Sequence, residues 1–144
     1  MSIAKKVVVD ANILLRAVFG RQVRGLLKAY ENSVEFYAPD ICFADAKRHI
    51  PTISAHRGVD PALAEPVLSQ MLSGLVQVVE CSLYEEFEQR ARERIASRDV
   101  DDWPVVATAL LLDAPIWTED RDFFGSGIAT WTSAKIELYL RDPQ

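Results

Sequence analysis

Four aspartates stand where oxygen ligands could gather. Asp10 directly follows Val7-Val8-Val9, and Asp45 lies six residues past Pro39. Asp102 stands just before Trp103-Pro104, and Asp120 lies two residues beyond Thr118. Carboxylates are hard oxygen donors, and several sharing one pocket make a site for Mg2+ or Mn2+. Such an ion lowers the pKa of a bound water and neutralises charge developing on a phosphoryl group, which is the chemistry of phosphodiester hydrolysis. An acid closing a Val-Val-Val run is costly to bury alone. Each acid also has an ordinary explanation. Asp10 and Asn12 can cap a helix, and Asp101 and Asp102 can cap the next one and offset its dipole. Asp120 and Asp122 flank Arg121 as a solvated turn would, and Asp45 can simply face water on a helix. Together, Asp10 and Asp120 at two strand ends tilt the reading toward metal.

Other chemistries have less support. His49 and His56 are the only histidines, with no ligand-spaced His/Cys set for zinc, and both read as surface groups. The glycines are scattered, so there is no phosphate-cradling loop. No nucleophile elbow marks a Ser/His/Asp site, though neither that nor Cys/His catalysis is excluded. The formal net charge of −5 argues against a protein that grips nucleic acid by general basicity. It leaves a nuclease open, because metal bound by acids reverses the local sign.

The elements that must position these acids alternate. Val7–Val9, 34–38 (closed by Pro39), 75–79, 114–118 and 128–131 read as five strands. Helical spacing fills the intervals. Ile13, Leu14, Val18 and Phe19 are followed by Gly20, and Val23, Leu26, Leu27 and Tyr30 make a second segment. A helix over 41–50 is expected to break at Pro51. The next starts at Asp60-Pro61 and runs to Gly74. Ser82 is expected to cap a helix ending near 97–98, and others run from Asp101 to Leu112 and from Ser133 to Leu140. Strands separated by helices predict an α/β fold, with a parallel sheet of about five strands between helical layers. In such a sheet, ligands bind beyond the carboxyl ends of the strands, which is where these acids fall.

The 144 residues fit one domain, expected to span 1–144, and 49% apolar content suffices for a core. No apolar run reaches the ~20 residues of a membrane span. The Met1 to Lys6 start lacks the features of a signal peptide, so a cytoplasmic protein is expected. A disulfide between Cys42 and Cys81 would be unexpected there.

Three segments then resemble a known family. Val-Val-Val-Asp10-Ala-Asn12-Ile-Leu-Leu, Asp102-Trp-Pro-Val-Val-Ala-Thr-Ala-Leu and Ile-Trp-Thr118-Glu-Asp120-Arg-Asp-Phe123 resemble, in order, the hallmark segments of PIN-domain nucleases, with VapC-like toxins of bacterial toxin–antitoxin pairs as the nearest subset. The resemblance implies strand order 3-2-1-4-5 and a Mg2+- or Mn2+-dependent ribonuclease, commonly a homodimer, with a cognate antitoxin as partner. It makes Asp10, Asp102 and Asp120 metal ligands, and Asp45 an outer ligand or water-positioning acid. Asn12 and Thr118 would orient carboxylates. Asp45 departs from the family's usual Glu by one methylene. Arg16, Arg48 and Arg121 are candidate phosphate contacts, with Arg21, Arg24 and Lys47 behind them, although such residues on helices usually form solvated faces. An antitoxin segment could offer Arg to the acids. The alternatives are an inactive binding or scaffold module, and a DNA nuclease or phosphatase on a similar sheet.

Overall fold

The structure is a computed structural model that describes residues 4–141. Met1, Ser2 and Ile3, on which the expectation about a signal peptide partly rests, lie outside the described residues. The chain begins with β1 (Lys5–Val9), α1 (Ala11–Phe19), α2 (Arg21–Ala29) and β2 (Val34–Pro39). α3 (Asp40–Arg57) and α4 (Pro61–Pro66) follow, then a π-helical turn over Val67–Leu72 and the short α5 (Ser73–Leu75). Next come β3 (Val76–Val79), α6 (Cys81–Tyr84), α7 (Glu88–Arg94), a 3-10 turn at Val100–Asp102 and α8 (Trp103–Leu112). β4 (Ile116–Trp117), a 3-10 turn at Arg121–Phe123, β5 (Thr130–Trp131) and α9 (Ile136–Leu140) complete it.

The strands form one parallel sheet in the order β3-β2-β1-β4-β5, flanked by helices, as expected. Val7, Val8 and Val9 have no exposed surface because β1 is central. A strand covered on both faces must be apolar at successive positions, which is why the run does not alternate. Phe36 of β2 and Trp117 of β4 meet across it, ring centroids 6.1 Å apart. α8 is buried from Pro104 to Ala109. Its one polar group in that stretch, the Thr108 hydroxyl, donates back to the Pro104 carbonyl at 2.8 Å. Among the described residues, no helix is long and apolar enough to cross a membrane. Both cysteines are free.

Two local expectations are corrected. Pro51 does not end its helix, because α3 runs on to Arg57 and closes at Gly58 in the left-handed region, φ 66°. Pro51 is exposed whereas Ile50 and Ser54 are buried. The missing N–H therefore falls on the solvent side, while the inward face continues. Ser82 is not a cap: the helix starts one residue earlier, and Asp40 reaches over from the neighbouring strand end to do that work. Its Oδ2 accepts the Cys81 N–H at 3.0 Å, while Oδ1 accepts the Tyr84 hydroxyl at 2.7 Å and the Ile41 N–H at 2.8 Å. The register explains the reach, since Pro39 pairs with Val79 and Asp40 thus leaves the sheet beside residue 80.

Candidate functional site

The site also follows from register. Val9 pairs with Trp117, so Asp10 and Thr118 emerge side by side from β1 and β4. Asp10 is 7% exposed, and its two oxygens are committed to different partners. Oδ1 accepts the Ile13 N–H at 2.9 Å and so caps α1. Oδ2 accepts the hydroxyl of the fully buried Thr118 in a short hydrogen bond. Thr118 Oγ1 in turn accepts the Asp120 N–H at 2.9 Å. Because that acceptance uses a lone pair, the hydroxyl proton is directed at Asp10. The helix cap and the cavity acid are thus one residue.

Asp10, Asp45, Asp102 and Asp120, with Asn12, line one cavity of about 180 Å3 floored by Cys42 and Val105. Asp45 arrives from α3, Asp102 from the turn before α8, and Asp120 from the loop after β4. Residues distant in sequence thereby converge at the carboxyl edge of the sheet. Asp101 lines the rim but is exposed.

The acids strain one another. Burial raises the Asp10 pKa to about 6 despite the two hydrogen bonds that favour its charge, and Asp120 and Glu119 push it the same way. Burial raises Asp102 to about 7, with repulsion from Asp99, Asp120, Asp10 and Asp122 adding to it. The Cys42 thiol is pushed well up, first by burial and then by Asp10 and Asp45, so it is inert packing. Asp102 Oδ2 is buried with no hydrogen-bond partner. Such an orphan costs about 1–3 kcal/mol unless something satisfies it.

A divalent ion fits these observations. The donors are all carboxylate oxygens, the choice of Mg2+ or Mn2+ over softer metals. Among the described residues, the carboxylate oxygens that lie within 4.8 Å of one another are those of Asp99, Asp102 and Asp122, so Asp102 is shared between the cavity and an acidic group beside it. Asp99 and Asp122 were not picked out as ligands from sequence. Asp99 reads as one more acid ahead of a helix, and it does cap the 3-10 turn through the Asp101 N–H at 3.0 Å. Only the folding of the 121–123 turn against it gives the pair away.

The remaining candidates are placed as follows. Asn12 stands at the cavity mouth, and among the described residues it makes no hydrogen bond to Asp10, whose orientation is set by Ile13 and Thr118. Arg48 is turned back onto Asp45 at 2.7 Å, and Lys47 pairs with Glu65 at 3.4 Å. Arg121 is exposed and is not part of the cavity wall. Arg16 and Arg21 line adjoining hollows.

A family model described as a PIN domain matches residues 8–141. No curated protein matches the chain. Among solved structures, PAE2754 from Pyrobaculum aerophilum is similar with a TM-score of 0.71 at 19% identity, covering 96% of this chain and 91% of that one. VapBC2 from Rickettsia felis, bound to a DNA fragment from its promoter, gives 0.66 at 9% identity, with 88% of this chain and 98% of that one covered. A toxin–antitoxin complex from Klebsiella pneumoniae gives 0.62 at 17% identity, covering 88% and 97%. At these identities the likeness is one of fold.

Proposed function

Since the chain belongs to the PIN-domain family, we propose that it is a single-domain, metal-dependent ribonuclease, the toxin of a toxin–antitoxin pair, cutting phosphodiester bonds at the acidic cavity. The observation that carries this is the convergence of Asp10, Asp45, Asp102 and Asp120 on one cavity, with a buried Asp102 oxygen that no hydrogen bond satisfies. The names of the similar complexes support the toxin reading and a cognate antitoxin partner.

Asp10, Asp102 and Asp120 would hold Mg2+ or Mn2+, with Asp99 and Asp122 adding charge from the side. When bound, the ion supplies an acidified water and charge neutralisation at phosphorus. The chain's own contribution is placement. Thr118 orients the Asp10 carboxylate by its hydroxyl and anchors the backbone of Asp120 by accepting its N–H, while the Asp122 N–H holds the Asp120 carboxylate. Asp45 lines the cavity from α3, where it would orient the attacking water by accepting a hydrogen bond. The Arg48 contact at 2.7 Å keeps one of its oxygens charge-paired and limits how far it swings inward.

This chemistry makes no use of the ribose 2′-hydroxyl. Incubation of defined RNAs with Mn2+ is expected to give 5′-phosphate and 3′-hydroxyl ends. Asp10→Asn and Asp102→Asn are expected to lose the activity. Products carrying 2′,3′-cyclic phosphate would overturn the mechanism, and cleavage of DNA in preference to RNA would overturn the substrate. Sedimentation tests the homodimer. Co-expression with the neighbouring reading frame tests the antitoxin, whose inhibitory segment should offer Arg to the acids.

A further inference from the structure

The acidic cavity does not end at Asn12. A second hollow of about 240 Å3, between α1 and α3, shares Asn12 with it and is walled by Leu15, Arg16, Phe19 and Arg57. A third, of about 170 Å3, shares Arg16 and Arg57 with the second and reaches Arg21 at the start of α2. Three depressions therefore run in series from the acids onto a cationic surface. Arg16 sits one helical turn beyond Asn12, about 6 Å along α1.

The charges along this route are free to act. Among the described residues, Arg16, Arg21 and Arg57 form no ion pair, whereas Lys47, Arg48, Arg92 and Arg98 each do. In a chain of net charge −5, three exposed guanidiniums without acid partners thus stand beside one connected groove. Arg57 is also steadied, its guanidinium lying over the Phe19 ring at 5.7 Å. The junction that brings Arg21 close is tight. A Cβ on Gly20 would meet the Arg16 carbonyl oxygen at 2.9 Å, and the Gly20 N–H donates to that oxygen at 2.8 Å. Arg48, nearer the start of α3, is instead neutralised by Asp45.

Resting on the nuclease reading above, we infer that a single-stranded RNA leaves the acidic cavity along the α1–α3 groove, its backbone phosphates held in turn by Arg16, Arg57 and Arg21. Arg57, carried at the end of the helix that passes through Pro51, is a substrate-binding residue that no strand-end argument reaches. A polyanion suits the groove because guanidinium forks match phosphate oxygens.

The test uses the full chain carrying Asp10→Asn, so that RNA is bound but not cut. The dissociation constant of a labelled single-stranded RNA of about 12 nucleotides is read by fluorescence anisotropy across a range of KCl concentrations. Arg16→Gln, Arg57→Gln and Arg21→Gln should each weaken binding about three- to fivefold near 0.1 M salt and lower the salt slope by ~0.7, the triple variant by ~2. Arg57→Lys should keep the slope, and Arg90→Gln, at a separate hollow that shares no residue with this route, should change nothing. If the triple variant binds with the parent's slope while the wild-type chain cleaves RNA, the route is wrong and the nuclease reading stands. If the wild-type chain neither binds nor cleaves RNA, both fall. If the triple variant keeps RNA affinity but loses a co-expressed protein partner, the groove belongs to that protein and the RNA route is refuted.

Discussion

Replacing Asp10 by Asn should make the metal-free protein more stable at neutral pH, although it removes a residue on which activity depends. The carboxyl is 7% exposed and its pKa stands at about 6 instead of 3.8. Holding it ionised above pH 6 therefore costs the fold about 3 kcal/mol, at about 1.36 kcal/mol per pKa unit. The substituted amide keeps an oxygen for the Ile13 N–H but spoils the acceptor that Thr118 donates to, a loss of about 1 kcal/mol. The net gain is about 2 kcal/mol, or roughly 6 °C in Tm for a chain of this length. The folded pKa is the raised one, so the proton-linked stability is fully present below about pH 3.8 and is lost as pH rises through about 6. The advantage of Asp10→Asn must accordingly be complete near pH 7, vanish between about pH 4 and 5, and give way at lower pH to a deficit of up to about 1 kcal/mol from the lost Thr118 bond. Thermal unfolding of both chains in EDTA across that range reads the difference directly. Saturating Mn2+ should reverse the ranking, because about 2.7 kcal/mol accrues to the wild type at 100 times Kd and none to the variant. A variant no more stable than wild type at pH 7 in EDTA, or a difference independent of pH, would show that burial does not strain Asp10 as described.

Thr118→Val keeps the shape and removes the hydroxyl that links Asp10 to the Asp120 backbone. It should cost about 2 kcal/mol in urea unfolding and weaken Mn2+ binding, read by calorimetry, about 10- to 100-fold. Asp45→Glu adds the methylene by which this chain differs from the resemblance. RNA cleavage rates should rise several-fold, and a fall would mean that Asp45 is not limited by reach. Asp40→Ala leaves the Cys81 and Tyr84 donors without their shared acceptor. It should lower stability by about 2–3 kcal/mol while activity per folded molecule is kept, since Asp40 lies outside the cavity wall.

Much of this was legible because the sheet is parallel. Once Val7–Val9 is a central strand, Asp10 must lie at its carboxyl end, and the same rule brings Thr118 and Asp120 to that edge. What escaped was set by contacts between elements, not within them. Pro51 reads as a stop because local rules know the lost donor but not that it points to water. Ser82 looks like a cap because nothing near it in sequence reveals that Asp40 is closer in space. Asp99 and Asp122 are each ordinary acids until the turn at Arg121–Phe123 folds beside the turn at Val100–Asp102. Arg57 is seventeen residues from the start of its helix and gains meaning only where α3 passes α1.

Asp102 sits at the head of α8, the helix sealed from water from Pro104 to Ala109. Amides in so enclosed a segment exchange with solvent only when the whole domain opens. A protease sampling partly opened forms should therefore leave this carboxylate's anchorage intact until nearly everything else has come apart. Resistance to digestion and retention of the acidic cluster would decline together, as a single cooperative event.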